Sequence, residues 1–118
     1  ILEAEQYDGP SLLIAYAPCI AQGILKGMSN TTEEQKKAVE SGYFPLFHYN
    51  PIEGKLHLDS KADFSKYYEF IAGEDRYRML KKVNKENYRE LLEENRNNAI
   101  DRYEDYQELS DSIKEKSE

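Results

Sequence analysis

Asp8-Gly9-Pro10-Ser11-Leu12-Leu13-Ile14-Ala15-Tyr16-Ala17-Pro18-Cys19 is the stretch whose reading decides the fold. Asp8-Gly9-Pro10 is a turn signal. Leu12 to Tyr16 is a continuous apolar run, not an alternating one. A run of this length between turns reads as a β-strand buried on both faces, as in a parallel α/β sheet. Such a strand needs neighbours on both sides, and the rest of the sequence offers few. Ahead of it, Ile1-Leu2-Glu3-Ala4-Glu5 reads like the last turns of a helix. Together these features suggest a chain cut out of something longer.

Beyond Cys19 the pattern turns irregular and then helical. Residues 20–30 contain Gly23 and Gly27 and read as loop or irregular helix. Thr31-Thr32-Glu33-Glu34 fits a capping box, with Thr31 as N-cap and Glu34 reaching back. A short helix to about Glu40 follows, with Gly42 suited to its C-terminal cap. Tyr43-Phe44-Pro45-Leu46-Phe47-His48-Tyr49 is aromatic and extended, and Pro45 confines it to an edge strand or loop. Asn50-Pro51 marks a turn, and Lys55-Leu56-His57-Leu58 alternates, so the two stretches pair as a hairpin.

From Asp63 onward the spacing predicts helices. Asp63 caps one over 64–71, which Gly73 breaks, and a second covers 75–83. Asn84 caps the third and longest, which ends near Lys114. In it Tyr88, Leu91, Leu92, Asn95, Ala99, Tyr103, Tyr106 and Ile113 recur at spacings of three, four and seven, one apolar stripe on a charged rod. The tail from Lys114 should fray. The expected class is α+β, mainly helical, with one or two strands.

Composition narrows the partners. The chain has 118 residues, 39% apolar and 33% charged, with a formal net charge of −7. That length suits one small domain. There is no basic stripe, so nucleic acid and anionic membrane surfaces are poor partners. The longest apolar run is far too short to span a bilayer, and no signal peptide is visible. One cysteine, Cys19, excludes an internal disulfide and fits a reducing, cytoplasmic compartment.

Cys19 is the residue best placed for chemistry, because ligand sites in open α/β sheets gather at the carboxyl ends of strands. Three readings compete: a nucleophile, one ligand of a metal or cluster completed elsewhere, or a small buried hydrophobe. His48 suits a hydrogen-bonded structural role, and His57 lies in the exposed phase of its strand. The pairs Glu33-Glu34 and Glu93-Glu94 read as solvated helix faces. The ten tyrosines form no cage by spacing. No glycine-rich phosphate loop, Cys-x-x-Cys or metal-binding His pair is present. Residues alone thus leave an acidic, mainly helical module, which an autonomous protein-interaction domain would also satisfy.

Four segments carry a resemblance. They are residues 3–19, ending Leu12-Leu13-Ile14-Ala15-Tyr16-Ala17-Pro18-Cys19; residues 38–51, Ala-Val-Glu-Ser-Gly-Tyr-Phe-Pro-Leu-Phe-His-Tyr-Asn-Pro; Leu58-Asp59-Ser60; and Phe70-Ile71-Ala72-Gly73-Glu74-Asp75-Arg76-Tyr77 with Leu80. In order and spacing they resemble the end of the pyruvate:ferredoxin (flavodoxin) oxidoreductases, over residues 3 to about 106. Departures include Gln22 where members often carry His, Phe44 where Trp is common and His48 where Arg is common.

The resemblance implies a large enzyme that joins pyruvate and coenzyme A to give acetyl-CoA and carbon dioxide. Thiamine diphosphate, Mg²⁺ and [4Fe–4S] clusters serve it, and electrons leave to ferredoxin or flavodoxin. It further implies that residues 1–62 end the thiamine diphosphate-binding α/β domain and that residues 63–118 are that domain's carboxy-terminal helices. Cys19 matches the fourth ligand of the [4Fe–4S] cluster nearest the thiamine. The other three cysteines and the thiamine motif would lie outside this chain. The isolated piece is therefore expected to hold no cofactor, to have no catalytic residue of its own, to be inactive, and to dimerise to cover exposed apolar surface.

Overall fold

The computed structural model describes residues 1–112. Helix α1 (Leu2–Gln6) leads into an extended segment, and a 3₁₀ turn at Met28–Asn30 feeds α2 (Thr31–Glu40). A hairpin of β1 (Phe47–Asn50) and β2 (Lys55–Leu58) follows. Helices α3 (Tyr67–Gly73), α4 (Asp75–Val83) and α5 (Tyr88–Asp111) complete the chain. Among the described residues the architecture is mainly helical, with a single two-stranded antiparallel sheet.

The hairpin pairs Phe47 with Leu58, His48 with His57 and Tyr49 with Leu56. Pro45 lies outside the ladder, as its missing N–H requires. Gly42 ends α2 at φ 79°, its N–H donating to Val39 O at 3.1 Å. A Cβ there would stand 2.5 Å from the Phe64 ring, so only glycine fits both the backbone and the space. Asp63 Oδ1 accepts from the Ser65 N–H at 3.1 Å and starts a 3₁₀ turn over Phe64–Lys66 that runs into α3.

Two helix starts differ from the sequence reading. The N-cap of α2 is Asn30, without a side-chain cap bond, and Thr31 instead donates Oγ1–H to Met28 O at 2.5 Å. The 3₁₀ turn in front already supplies the first turn, so no capping box forms and Glu34 is free to point inward. Asn84 accepts from the Asn87 N–H at 3.4 Å, and α5 begins at Tyr88. The apolar stripe of α5 is buried or half-buried as expected at Tyr88, Leu92, Asn95, Ala99, Tyr103 and Tyr106, but Leu91 is exposed; Ile113 and the tail lie outside the described residues.

The core gathers Ala38 of α2, Tyr67, Phe70 and Ile71 of α3, and Ala99 of α5. Tyr16, Tyr43, Phe44, Phe64, Tyr77 and Leu92 pack round it. Helix α5 lies over the hairpin: the Phe47 and Tyr106 rings pack tilted, with centroids 4.7 Å apart, and Tyr103 donates its hydroxyl to Ser60 O at 3.0 Å.

The largest correction concerns Leu12–Tyr16, which forms no strand. The run pairs with no strand, and the hairpin that forms the sheet is made by residues 47–58 alone. Leu12, Leu13 and Ile14 are 84%, 70% and 66% exposed. The radius of gyration is 17.0 Å, with extents of 53 × 29 × 20 Å, against about 13.5 Å for a compact chain of this length. The helices have a core, and the apolar run projects from it.

Candidate functional site

The segment bearing Cys19 is anchored on both sides of the cysteine. On the near side, Tyr16 inserts its ring among Tyr43, Phe44 and Phe70, with centroids 5.8, 5.7 and 6.4 Å away. Its carbonyl accepts from Gln35 Nε2 at 3.2 Å, and its hydroxyl donates to Glu74 Oε1. Pro18 is buried and Cys19 is exposed. Cys19 O then accepts from the Gly23 N–H at 2.8 Å, closing a turn. On the far side, Ile24 and Glu74 form an antiparallel bridge. The Leu25 N–H donates to Gly73 O at 2.8 Å, and the Asp75 N–H donates to Gly23 O at 3.2 Å.

Beneath this segment lies an acidic and aromatic cluster that sequence spacing did not signal. Glu74, at the junction of α3 and α4, is 2% exposed. Besides Tyr16 it has Arg76, whose Nε is 3.7 Å from Glu74 Oε2. Arg76 also donates to the Tyr43 hydroxyl at 3.0 Å and lies over the Tyr77 ring at 5.0 Å. The Tyr43 and Tyr77 hydroxyls are 2.8 Å apart.

Glu34, expected on a solvated face, is 7% exposed. Its position on α2 faces α3, where Gly73 has no side chain: a Cβ on Gly73 would stand 2.7 Å from Glu34 Oε1. The only hint in the sequence was Gly73, which read as the breaker of the helix over 64–71 and is the last residue of α3.

Burial dominates the electrostatics here. It pushes the Tyr16 phenol well above its usual range, with the Glu74 hydrogen bond adding to the effect. Tyr77 is raised by burial and by its bond to Tyr43, and burial pushes Tyr67 up to about 12. The Glu34 carboxyl is raised by burial first and by the charge of Glu74 second. Phenols packed edge-on or tilted against one another, with raised titration points, are packing and hydrogen-bonding groups at neutral pH.

His48 and His57 sit opposite each other on the hairpin, their rings stacked at 4.6 Å and 9°. His48 Nδ1 is 2.7 Å from Asp59 Oδ2, and His57 Nε2 is 3.1 Å from Glu53 Oε2. His48 thus has the structural hydrogen bond expected of it, and that bond to Asp59 raises its titration point. His57 is only half-exposed because the His48 ring covers one face. Neither approaches Cys19 through any bond the structure shows.

Among the described residues no group of three or more His, Cys, Asp or Glu could hold a metal ion. A [4Fe–4S] cluster takes four thiolates. This chain, with one exposed free thiol, fits one corner of such a cluster and not the whole donor set. Among the described residues no helix is long and apolar enough to cross a membrane.

No family model matches the chain. It is 46% identical over 116 residues, 94% of its length, to pyruvate:ferredoxin oxidoreductase of Moorella thermoacetica. It is 39% identical over 117 residues to pyruvate-flavodoxin oxidoreductase of Enterobacter agglomerans. Over 70% of the chain it is 43% identical to mitochondrial pyruvate dehydrogenase [NADP(+)] of Euglena gracilis. These matches cover 10%, 10% and 5% of the three proteins, so the chain spans about a tenth or less of the relatives' length. The relatives are oxidoreductases named for pyruvate. The chain belongs to the pyruvate:ferredoxin (flavodoxin) oxidoreductase family, of whose members it matches a short part.

Proposed function

We propose that this chain is the carboxy-terminal part of the thiamine diphosphate-binding domain of a pyruvate:ferredoxin (flavodoxin) oxidoreductase. In this reading the whole enzyme converts pyruvate and coenzyme A to acetyl-CoA and carbon dioxide in the cytoplasm and passes electrons to ferredoxin or flavodoxin. When bound, thiamine diphosphate with Mg²⁺ would supply the decarboxylation chemistry and [4Fe–4S] clusters the electron transfer, and of their ligands only Cys19 would come from this chain. This chain has no catalytic residue of its own and is inactive alone. Cys19 supplies the fourth thiolate of one cluster, whose other three cysteines lie outside the chain.

The observation that carries the proposal is the sequence identity across nearly the whole chain, Cys19 included in the matched span. The structure lends two physical supports. Cys19 is exposed between two anchored points, as one corner of a shared cluster needs to be. Beside it the exposed Leu12-Leu13-Ile14 run has apolar side chains on both faces, the property of a strand meant for the middle of a sheet. The remainder of the longer enzyme would provide that sheet; a second copy of this chain is the competing occupant.

A chimera tests it. The matching segment of the Moorella thermoacetica enzyme is replaced by this chain, and anaerobic iron content and pyruvate-dependent dye reduction are measured. An active chimera that loses one cluster's iron and most of its activity on Cys19→Ala supports the proposal. Unchanged iron and activity in the Cys19→Ala chimera would remove the ligand role. A chimera that folds but binds no thiamine diphosphate would remove the domain assignment.

A further inference from the structure

The two anchors of the Cys19 segment meet at one buried acidic pair. Tyr16 reaches Glu74 from one side, and the Ile24–Glu74 bridge holds the other. Glu34 comes to the same place from α2, its carboxyl lying in the space left by Gly73. Glu34 Oε1 is buried and has no hydrogen-bond partner among the described residues. A buried carboxylate oxygen without a donor is costly, and a neutral carboxyl costs far less.

We propose that Glu34 and Glu74 form a proton-loaded latch. The segment carrying Cys19 is clamped onto α2 and α3 while Glu34 holds a proton, and it loosens when that proton leaves.

The surrounding charges favour the neutral form. Glu34 faces Glu74 from the α3–α4 junction, Glu69 from α3, Lys37 from its own helix and Lys26 from the segment itself. Lys37 is already paired with Glu69 at 2.9 Å. Arg76 sides with Glu74 and shares its other donors with Tyr43. Tyr16 spends its single proton on Glu74. An ionised Glu34 would therefore face Glu74 with Lys37, which is shared with Glu69, and Lys26 to offset it. Burial acts in the same direction and is the larger influence.

The sign follows from linkage. With the latch open, Glu34 takes its ordinary value of 4.5; with the latch closed, its value is raised. The closed state is therefore favoured in full below the ordinary value. It weakens as pH rises through the raised one and is constant above it. One proton changes the open-to-closed ratio by at most about tenfold per pH unit.

Amide hydrogen exchange on the 118-residue chain between pH 4 and 8 tests this, with rates corrected for the intrinsic pH dependence of exchange. Protection at Leu25 and Asp75 should fall with pH, by up to about tenfold per unit, while Tyr103 in α5 holds steady. Glu34→Gln, which cannot ionise, should flatten the Leu25 profile. A pH-independent Leu25 in the natural chain, or the same slope in Glu34→Gln, overturns the latch. A fall shared equally by Tyr103 reports global unfolding and also overturns it. Should Glu34→Gln not fold, a carbon-13 titration of the Glu34 carboxyl in the natural chain decides: a fall in Leu25 protection that tracks an elevated carboxyl midpoint upholds the latch, and an ordinary midpoint or a fall that does not track it sinks it.

Discussion

The Tyr16 hydroxyl donates to Glu74 across 58 positions of sequence. It ties the stretch before Cys19 to the junction of α3 and α4. A buried glutamate needs such a donor, since among the described residues its other charged partner is Arg76 at 3.7 Å.

Tyr16→Phe keeps the ring among Tyr43, Phe44 and Phe70 and deletes the donor. Leaving Glu74 short of a partner should cost about 1–3 kcal/mol. Urea unfolding should show a lower midpoint at an unchanged slope. A midpoint equal to that of the natural chain would mean that water replaces the phenol without loss.

Gly42→Ala should destabilise by roughly 1–3 kcal/mol, because the new Cβ meets the Phe64 ring at 2.5 Å while φ is 79°. Gly54→Ala is the control: φ is also positive there, but the Cβ enters open space. It should cost only the backbone term, about 1 kcal/mol. Equal losses would place the whole effect in the backbone and none in the contact.

His48 should titrate above 6.5, because Asp59 favours the imidazolium. Raised in the fold, it adds stability that is complete below 6.5 and lost as pH rises through the elevated value. The pair is half-exposed and screened, so the gain is under about 1 kcal/mol. Proton NMR should follow the ring, and Asp59→Asn should return its midpoint toward 6.5. No movement on that substitution would break the assignment.

Phe70→Ala, in the centre of the core, should cost about 3–5 kcal/mol. That rivals the whole stability of a small domain, so the helical signal should disappear at 37 °C. Leu13→Ser lies on the exposed run and should change stability by no more than about 0.5 kcal/mol. A large loss at Leu13 would mean that the run is packed in solution.

Local signals were legible at several single residues, though not at the caps assigned to Thr31 and Asn84. Gly42 takes the left-handed conformation, Asp63 receives the Ser65 amide, and α4 runs from Asp75 to Val83 as the spacing implied. The hairpin sits where the alternation around Asn50-Pro51 put it. Reading failed where the answer depended on partners distant in sequence. Leu12–Tyr16 has a strand's composition, yet a strand exists only with hydrogen-bonding neighbours. Glu34 looked solvated because its neighbour is a vacant side-chain position on another helix, and an absent side chain leaves no periodic trace. The exposure of Cys19 was equally out of reach, since it follows from how Tyr16 and Ile24 grip the core.

The open Leu12-Leu13-Ile14 run also has a consequence for the fate of the chain in a cell. Chaperones and proteases recognise unfolded protein by extended apolar segments of this kind. The helical core can be fully formed while this run still presents itself as unfinished. Until the run is covered, a well-packed domain carries the mark of an unfolded one. Its abundance would then be set by how quickly a covering surface arrives, and stabilising the core would do little to prolong its life.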